Sequence, residues 1–153
     1  MRLGTRLGID VGKVRIGVAR SDPHGILATP VATVARGEGD LAEIVRLAAE
    51  FDVVEIVVGS PLALSGRATA STQDAVDFAA RVASAIPVPV RLVDERLSTV
   101  SAHRAMRSTG RTERSSRPVI DQVAAVIILQ HALDAERTSG AAPGTLLAPD
   151  ERR

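Results

Sequence analysis

Carboxylates stand at three places in this sequence where they could act together. Asp10 follows a short apolar run and precedes a turn marked by Gly12. Asp94 and Glu95 close a second apolar run. Asp121 opens the run Gln-Val-Ala-Ala-Val-Ile-Ile-Leu, which ends at Leu129. The chain has no cysteine. Carboxylates without a thiol or imidazole among them form a hard, oxygen-rich donor set. That set suits Mg²⁺ or Mn²⁺ and does not suit zinc. Two such ions about 3.5–4 Å apart can activate a water and stabilise the leaving oxygen in phosphodiester cleavage. The glycines around Asp10, Gly12 and Gly17, also leave backbone bare enough to cradle a phosphate.

Each acid has an ordinary role as well. Asp10 can be a turn residue, and Glu95 can pair with its neighbour Arg96. Asp121 in the first turns of a helix is favoured by the helix dipole. The sharper reading rests on all three converging on one edge. A carboxylate within a helix that is apolar on almost every side needs a cation or hydrogen bonds.

A basic block lies between the last two acids. It holds Arg96, Arg104, Arg107, Arg111, Arg114 and Arg117, with His103 beside them and Glu113 as its only acid. Arginine binds phosphate oxygens in a bidentate fork, which supplies affinity without reading base sequence. His103 reads as a helix-surface residue. The net charge is +1, and Lys13 is the only lysine among 19 basic residues. Phe51 and Phe78 are the only aromatics. A single-strand binder that stacks bases would need more of them, so any grip on nucleic acid runs through the backbone.

The elements that position these groups follow from periodicity. Residues 7–10, 14–20 and 26–34 read as strands, the third with Pro30 inside it, which marks an edge or a bulge. Residues 41–51 and 72–86 carry helical apolar stripes. Residues 53–59 form a β-branched run of the buried parallel type, and residues 88–94 form another strand. Ser98 or Thr99 can cap a helix that reaches about Ser108. A last helix, with Pro118 in its first turn, ends near Glu136. The expected order is β-β-β-α-β-α-β-α-α: an antiparallel meander, then parallel units with right-handed crossovers. In such sheets sites gather beyond the carboxyl ends of the strands.

At 153 residues, 45% hydrophobic and 24% charged, the chain is expected to form one domain. Residues 1–137 make that domain, and residues 138–153, rich in Gly, Ala, Pro and charges, read as a flexible tail. Neither a signal peptide nor a membrane span is expected, and the expected location is the cytoplasm.

Three stretches together resemble the YqgF/RuvX family of the RNase H-like (RuvC-like) superfamily. They are Gly8-Ile-Asp-Val-Gly12 with Arg15-Ile-Gly-Val-Ala19 and Ser21-Asp-Pro23; Asp94-Glu-Arg-Leu-Ser-Thr-Val100; and Val119-Ile-Asp-Gln-Val-Ala-Ala-Val-Ile-Ile-Leu-Gln130. The resemblance implies a three-layer α/β fold, with a five-stranded mixed sheet and helices on both faces. It implies a divalent-metal nuclease whose acidic triad is Asp10, Glu95 and Asp121. Family members are described as nucleases that process the 5′ end of the 16S rRNA precursor and as Holliday junction resolvases. A monomer suffices for RNA trimming, whereas junction resolution favours a homodimer. This chain departs from the usual pattern at Lys13-Val14, at Ser60 and in the loop 62–66. Two other readings compete: an actin-like phosphate-binding domain, for which the chain has only one phosphate hairpin, and a non-catalytic nucleic-acid module that uses the arginines alone.

Overall fold

The structure is a computed structural model. It describes residues 3–61, 65–95 and 117–147, with the side chains of residues 117–120 excepted. Strands β1 (Arg6–Val11), β2 (Arg15–Ser21) and β3 (Ala28–Ala35) form the expected meander. Helix α1 (Asp40–Glu50), strand β4 (Glu55–Ser60), helix α2 (Ala70–Ala85) and strand β5 (Val90–Asp94) follow. Helix α3 (Arg117–Ser139) and strand β6 (Thr145–Leu147) complete the described elements. The sheet order is β3-β2-β1-β4-β5-β6. β1, β4 and β5 are parallel, and the other pairings are antiparallel.

The alternation of a strand decides which layer covers each side chain. Leu7, Ile9 and Val11 of β1 join Ile56 and Val58 of β4 in a core closed by α1 and α2. Ala19 of β2, Val57 of β4 and Val93 of β5 form the opposite core with Ala124, Ala125, Ile128 and Leu129 of α3. Gly8 also faces α3, since a β-carbon there would stand 2.6 Å from Leu129 Cβ. Among the described residues the elements form a three-layer sandwich, with two helices on one face and one long helix on the other. Both faces of the central strands are covered, which is why they read as near-continuous apolar runs.

Local chemistry fixes the helix starts. Thr69 caps α2: its Oγ1 accepts from Thr72 N–H, and Thr72 Oγ1 accepts from Thr69 N–H. Thr72 Oγ1 also donates to the Pro61 carbonyl, tying the end of β4 to this cap. At α1 the Asp40 carboxylate accepts from the N–H groups of Gly37 and Leu41.

Pro30 does sit in an edge strand, opposite Ala19, where the β2–β3 register shifts. The sheet has six strands and not the expected five. The sixth arises within the segment read as a tail, because Gly140 and Gly144 take positive φ and turn the chain back. Thr145, Leu146 and Leu147 then pair with Leu92, Arg91 and Val90. A β-carbon on Gly144 would meet the Leu92 carbonyl oxygen at 2.1 Å, so the return needs glycine. The helix expected from Ser98 or Thr99 to Ser108 lies outside the described residues.

Candidate active site

Asp10 is the fifth residue of β1 and pairs with Gly17 of β2. It shares a strand face with Gly8, so its side chain rises on the α3 side of the sheet. It is 1% exposed. Glu95 directly follows β5 and is 3% exposed. Its Cγ and Cδ lie 3.0 Å from where a Gly59 β-carbon would stand, a place shared with Ile128 of α3. Glu95 thus leans over β4 toward β1 on the α3 face. Val93 packs into that same α3 core, so alternation sends Asp94 to the other face. Asp94 and Glu95, adjacent in sequence, are separated by the sheet itself. Asp121, 4% exposed, is the fifth residue of α3. Its carbonyl oxygen comes within 2.0 Å of the β-carbon position on Gly17.

The acids therefore line up across three neighbouring strands. Asp121 lies above Gly17 of β2, Asp10 rises from β1, and Glu95 crosses Gly59 of β4. Gly59 stands one residue beyond Val58, and Asp10 one residue beyond Ile9, the partner of Val58. The glycines clear the space that the two outer acids need. Both cores leave this end of the sheet to polar groups.

The turn carrying Asp10 is held by arginines that the sequence reading gave no role. Gly12 N–H donates to the Arg15 carbonyl at 2.9 Å and closes the β1–β2 turn. A β-carbon on Gly12 would strike that same carbonyl oxygen at 2.7 Å. Lys13 and Val14 form the tip, with Val14 65% exposed, so the family departure at these positions falls on solvent-facing residues. Arg36 grips the turn from behind. Its N–H donates to the Val14 carbonyl, and its Nη1 donates to the Gly12 carbonyl at 2.8 Å. The same guanidinium makes a two-pronged bond to Asp74 of α2, at 2.8 and 3.0 Å, and stacks over Phe78. The Arg36 fork holds the Asp74 carboxyl below the usual carboxylate range.

Arg15 makes the other new contact. Its Nε donates to Asp121 Oδ2 at 2.9 Å. The signal for it was present in the alternation: Arg15, Gly17 and Ala19 share one strand face, the face under α3. Gln122 Nε2, on the next residue, donates to Thr33 Oγ1 at 3.0 Å and anchors this end of α3 to β3.

The donor types fit a hard divalent cation. Among the described residues, no group of three or more His, Cys, Asp or Glu side chains is set to hold a metal ion. Arg96, Arg104, Arg107, Arg111 and Arg114 lie outside the described residues, as do the side chain of Arg117 and the loop 62–64. Among the described residues no helix is long and apolar enough to cross a membrane.

Known proteins share both sequence and fold with this chain. The RuvX family model, described as Holliday junction resolvase, matches residues 4–135. A protein of Clavibacter michiganensis subsp. michiganensis named "Putative pre-16S rRNA nuclease" is 65% identical over 150 residues, covering 96% of this chain and 93% of its own length. A protein of the same name from Leifsonia xyli subsp. xyli is 62% identical over 152 residues, covering 97% of each chain. Among solved structures, T. thermophilus RuvC in complex with a Holliday junction substrate superposes with a TM-score of 0.57 at 17% identity, over 94% of this chain and 99% of that one. That likeness is one of fold, the RNase H-like fold expected from the motifs. A model that matches nearly the whole described chain, and relatives of this identity along their full length, place the chain in the RuvX family.

Proposed function

We propose that the chain is a divalent-metal-dependent nuclease that processes the 5′ end of the 16S rRNA precursor during ribosome assembly in the cytoplasm. The observation that carries the reading is the convergence of Asp10, Glu95 and Asp121. They come from segments far apart in sequence, yet each is buried, and their positions over Gly17, on β1 and over Gly59 put them on the same face of neighbouring strands. Burying several carboxylates together is costly unless cations share the site. The three acids would hold Mg²⁺ or Mn²⁺, as a pair of ions. When bound, such ions supply an activated water and charge stabilisation for the leaving oxygen.

The chain's own residues supply position. Gly17 and Gly59 let the outer acids approach, and Arg36 fixes the turn behind Asp10. The arginine block from Arg96 to Arg117 leads from Glu95 to Asp121 in sequence and would grip phosphates along the substrate. The names of the relatives favour precursor rRNA. The family's description favours a second reading, a Holliday junction resolvase acting as a homodimer on branched DNA.

The deciding experiment offers a precursor 16S rRNA fragment and a four-way DNA junction side by side, with Mg²⁺, Mn²⁺ or EDTA. Metal-dependent trimming of the RNA is expected, and it should be lost in Asp10→Asn. Cleavage of the junction alone would move the assignment to the second reading. Activity that is undiminished in EDTA would overturn the metal site.

A further inference from the structure

We propose that Arg15 is an exchangeable counter-cation for Asp121, so that metal and nucleic acid load into this site together. The inference rests on the metal-nuclease reading above.

Asp121 is buried, and the Arg15 guanidinium gives it a charge-assisted hydrogen bond through Nε alone. A divalent cation at Asp121 needs the same carboxylate. Arginine and metal therefore compete for it, and the guanidinium holds the place until it is drawn off. The side chain is built to leave. Its side chain is 30% exposed, and it starts β2 directly after the solvent-facing β1–β2 turn. Its two Nη groups form no hydrogen bond among the described residues. Other arginines of the sheet are tied down. Arg36 is locked by Gly12, Asp74, Asp40 and the Phe78 ring. Arg6 is enclosed beside Gly4 and Glu136.

A phosphate is the partner that suits the Nη fork of Arg15. A substrate phosphate arriving at the acids would take the guanidinium and release Asp121 to the metal. The two ligands then help each other by one common factor, since coupling between binding events is reciprocal. Arginine suits the role better than lysine, because its planar fork matches two phosphate oxygens at once.

Three forms of the full chain test this: wild type, Arg15→Gln and Asp10→Asn. Mn²⁺ alone is titrated and the bound ion counted by electron paramagnetic resonance. Arg15→Gln, which keeps a hydrogen-bond donor but not the charge, should bind Mn²⁺ about tenfold more tightly than wild type, within the range of typical couplings. A residue that merely orders Asp121 would give the opposite sign, and equal or weaker Mn²⁺ binding overturns the exchange. The second arm measures binding of a labelled precursor rRNA fragment by fluorescence anisotropy, with Ca²⁺ or with EDTA. Ca²⁺ should tighten RNA binding by about tenfold in wild type and by less than about twofold in Arg15→Gln. Equal enhancement in both overturns the coupling. Specific Mn²⁺ binding that disappears in Asp10→Asn keeps the metal site standing even where the exchange fails. Absence of such binding removes the metal site and the exchange with it.

Discussion

The carbonyl oxygen of Asp121 lies so close over Gly17 that a β-carbon there would stand 2.0 Å away, and 2.5 Å from the carbonyl carbon. Helix α3 presses its backbone onto the sheet at the residue that carries the third acid. The glycine and the acid are thus one device, since Gly17 sets the height at which Asp121 lies above the sheet. Gly17→Ala should destabilise the fold by about 1–3 kcal/mol through overpacking, and it should also lower cleavage by lifting Asp121. Urea denaturation beside a cleavage assay reads both effects.

Gly59 offers a contrast. A β-carbon there meets the tip of Ile128 at 2.6 Å, a flexible neighbour, and the Glu95 side chain at 3.0 Å. Gly59→Ala should cost less stability than Gly17→Ala, about 1 kcal/mol, while still lowering cleavage by displacing Glu95. The same two assays check the order. A larger stability loss at Gly59 than at Gly17 would contradict the packing described for α3.

Asp10→Asn keeps the shape of the side chain and removes its charge. Loss of groups that merely orient metal ligands already costs about 10–100-fold. Loss of a ligand should therefore reduce cleavage by more than about 100-fold. Circular dichroism, and RNA binding measured in EDTA, should stay close to wild type. Full activity in this variant would remove Asp10 from the site.

The Arg36–Asp74 contact predicts a pH dependence with a definite sign. Arg36 holds Asp74 ionised below the usual carboxylate range, so the folded pKa is depressed. The stability it contributes is present above the ordinary Asp pKa of about 3.9. It is lost as pH falls through the folded value. Wild type should therefore melt above Asp74→Asn at neutral pH, and the gap should close as the buffer becomes strongly acidic. A gap that widens on acidification would reverse the assignment. Thermal melts across a pH series measure it.

Arg6 and Glu136 meet inside the protein at 3.4 Å, joining β1 to the far end of α3. Removing one partner of a buried pair costs about 3–5 kcal/mol. Glu136→Ala should destabilise by that order in urea denaturation. Replacing the pair together by Arg6→Met and Glu136→Met should recover much of the loss.

Most of the frame was legible in the residues because it rests on local signals. The meander, the helical stripes of α1 and α2, and the buried parallel strands all follow from periodicity. Pro30 announced its edge strand, since a ring without an N–H has few other places in a sheet. The placement of Asp10 and Glu95 at strand ends was also local. What escaped was decided by docking. Arg15 and Asp121 are 106 residues apart, and Arg36 and Asp74 are 38 apart, so nothing in either neighbourhood announces the pair. Strand β6 has three residues, too few to show an alternation, and it exists because β5 offers it an edge. The division of Asp94 from Glu95 needed Val93 as its reference, and Val93 has a face only once α3 has covered it.

The position of α3 in the chain has a consequence for the timing of synthesis. Asp10 leaves the ribosome more than a hundred residues ahead of Asp121. A nascent chain that has released β1 through β5 still lacks the helix that covers Ala19, Val57 and Val93. The half-made protein therefore carries an incomplete set of acids over an uncovered sheet. On the proposed function, such a chain could not yet cleave RNA, because one of its three acids and the helix that carries it have still to be made.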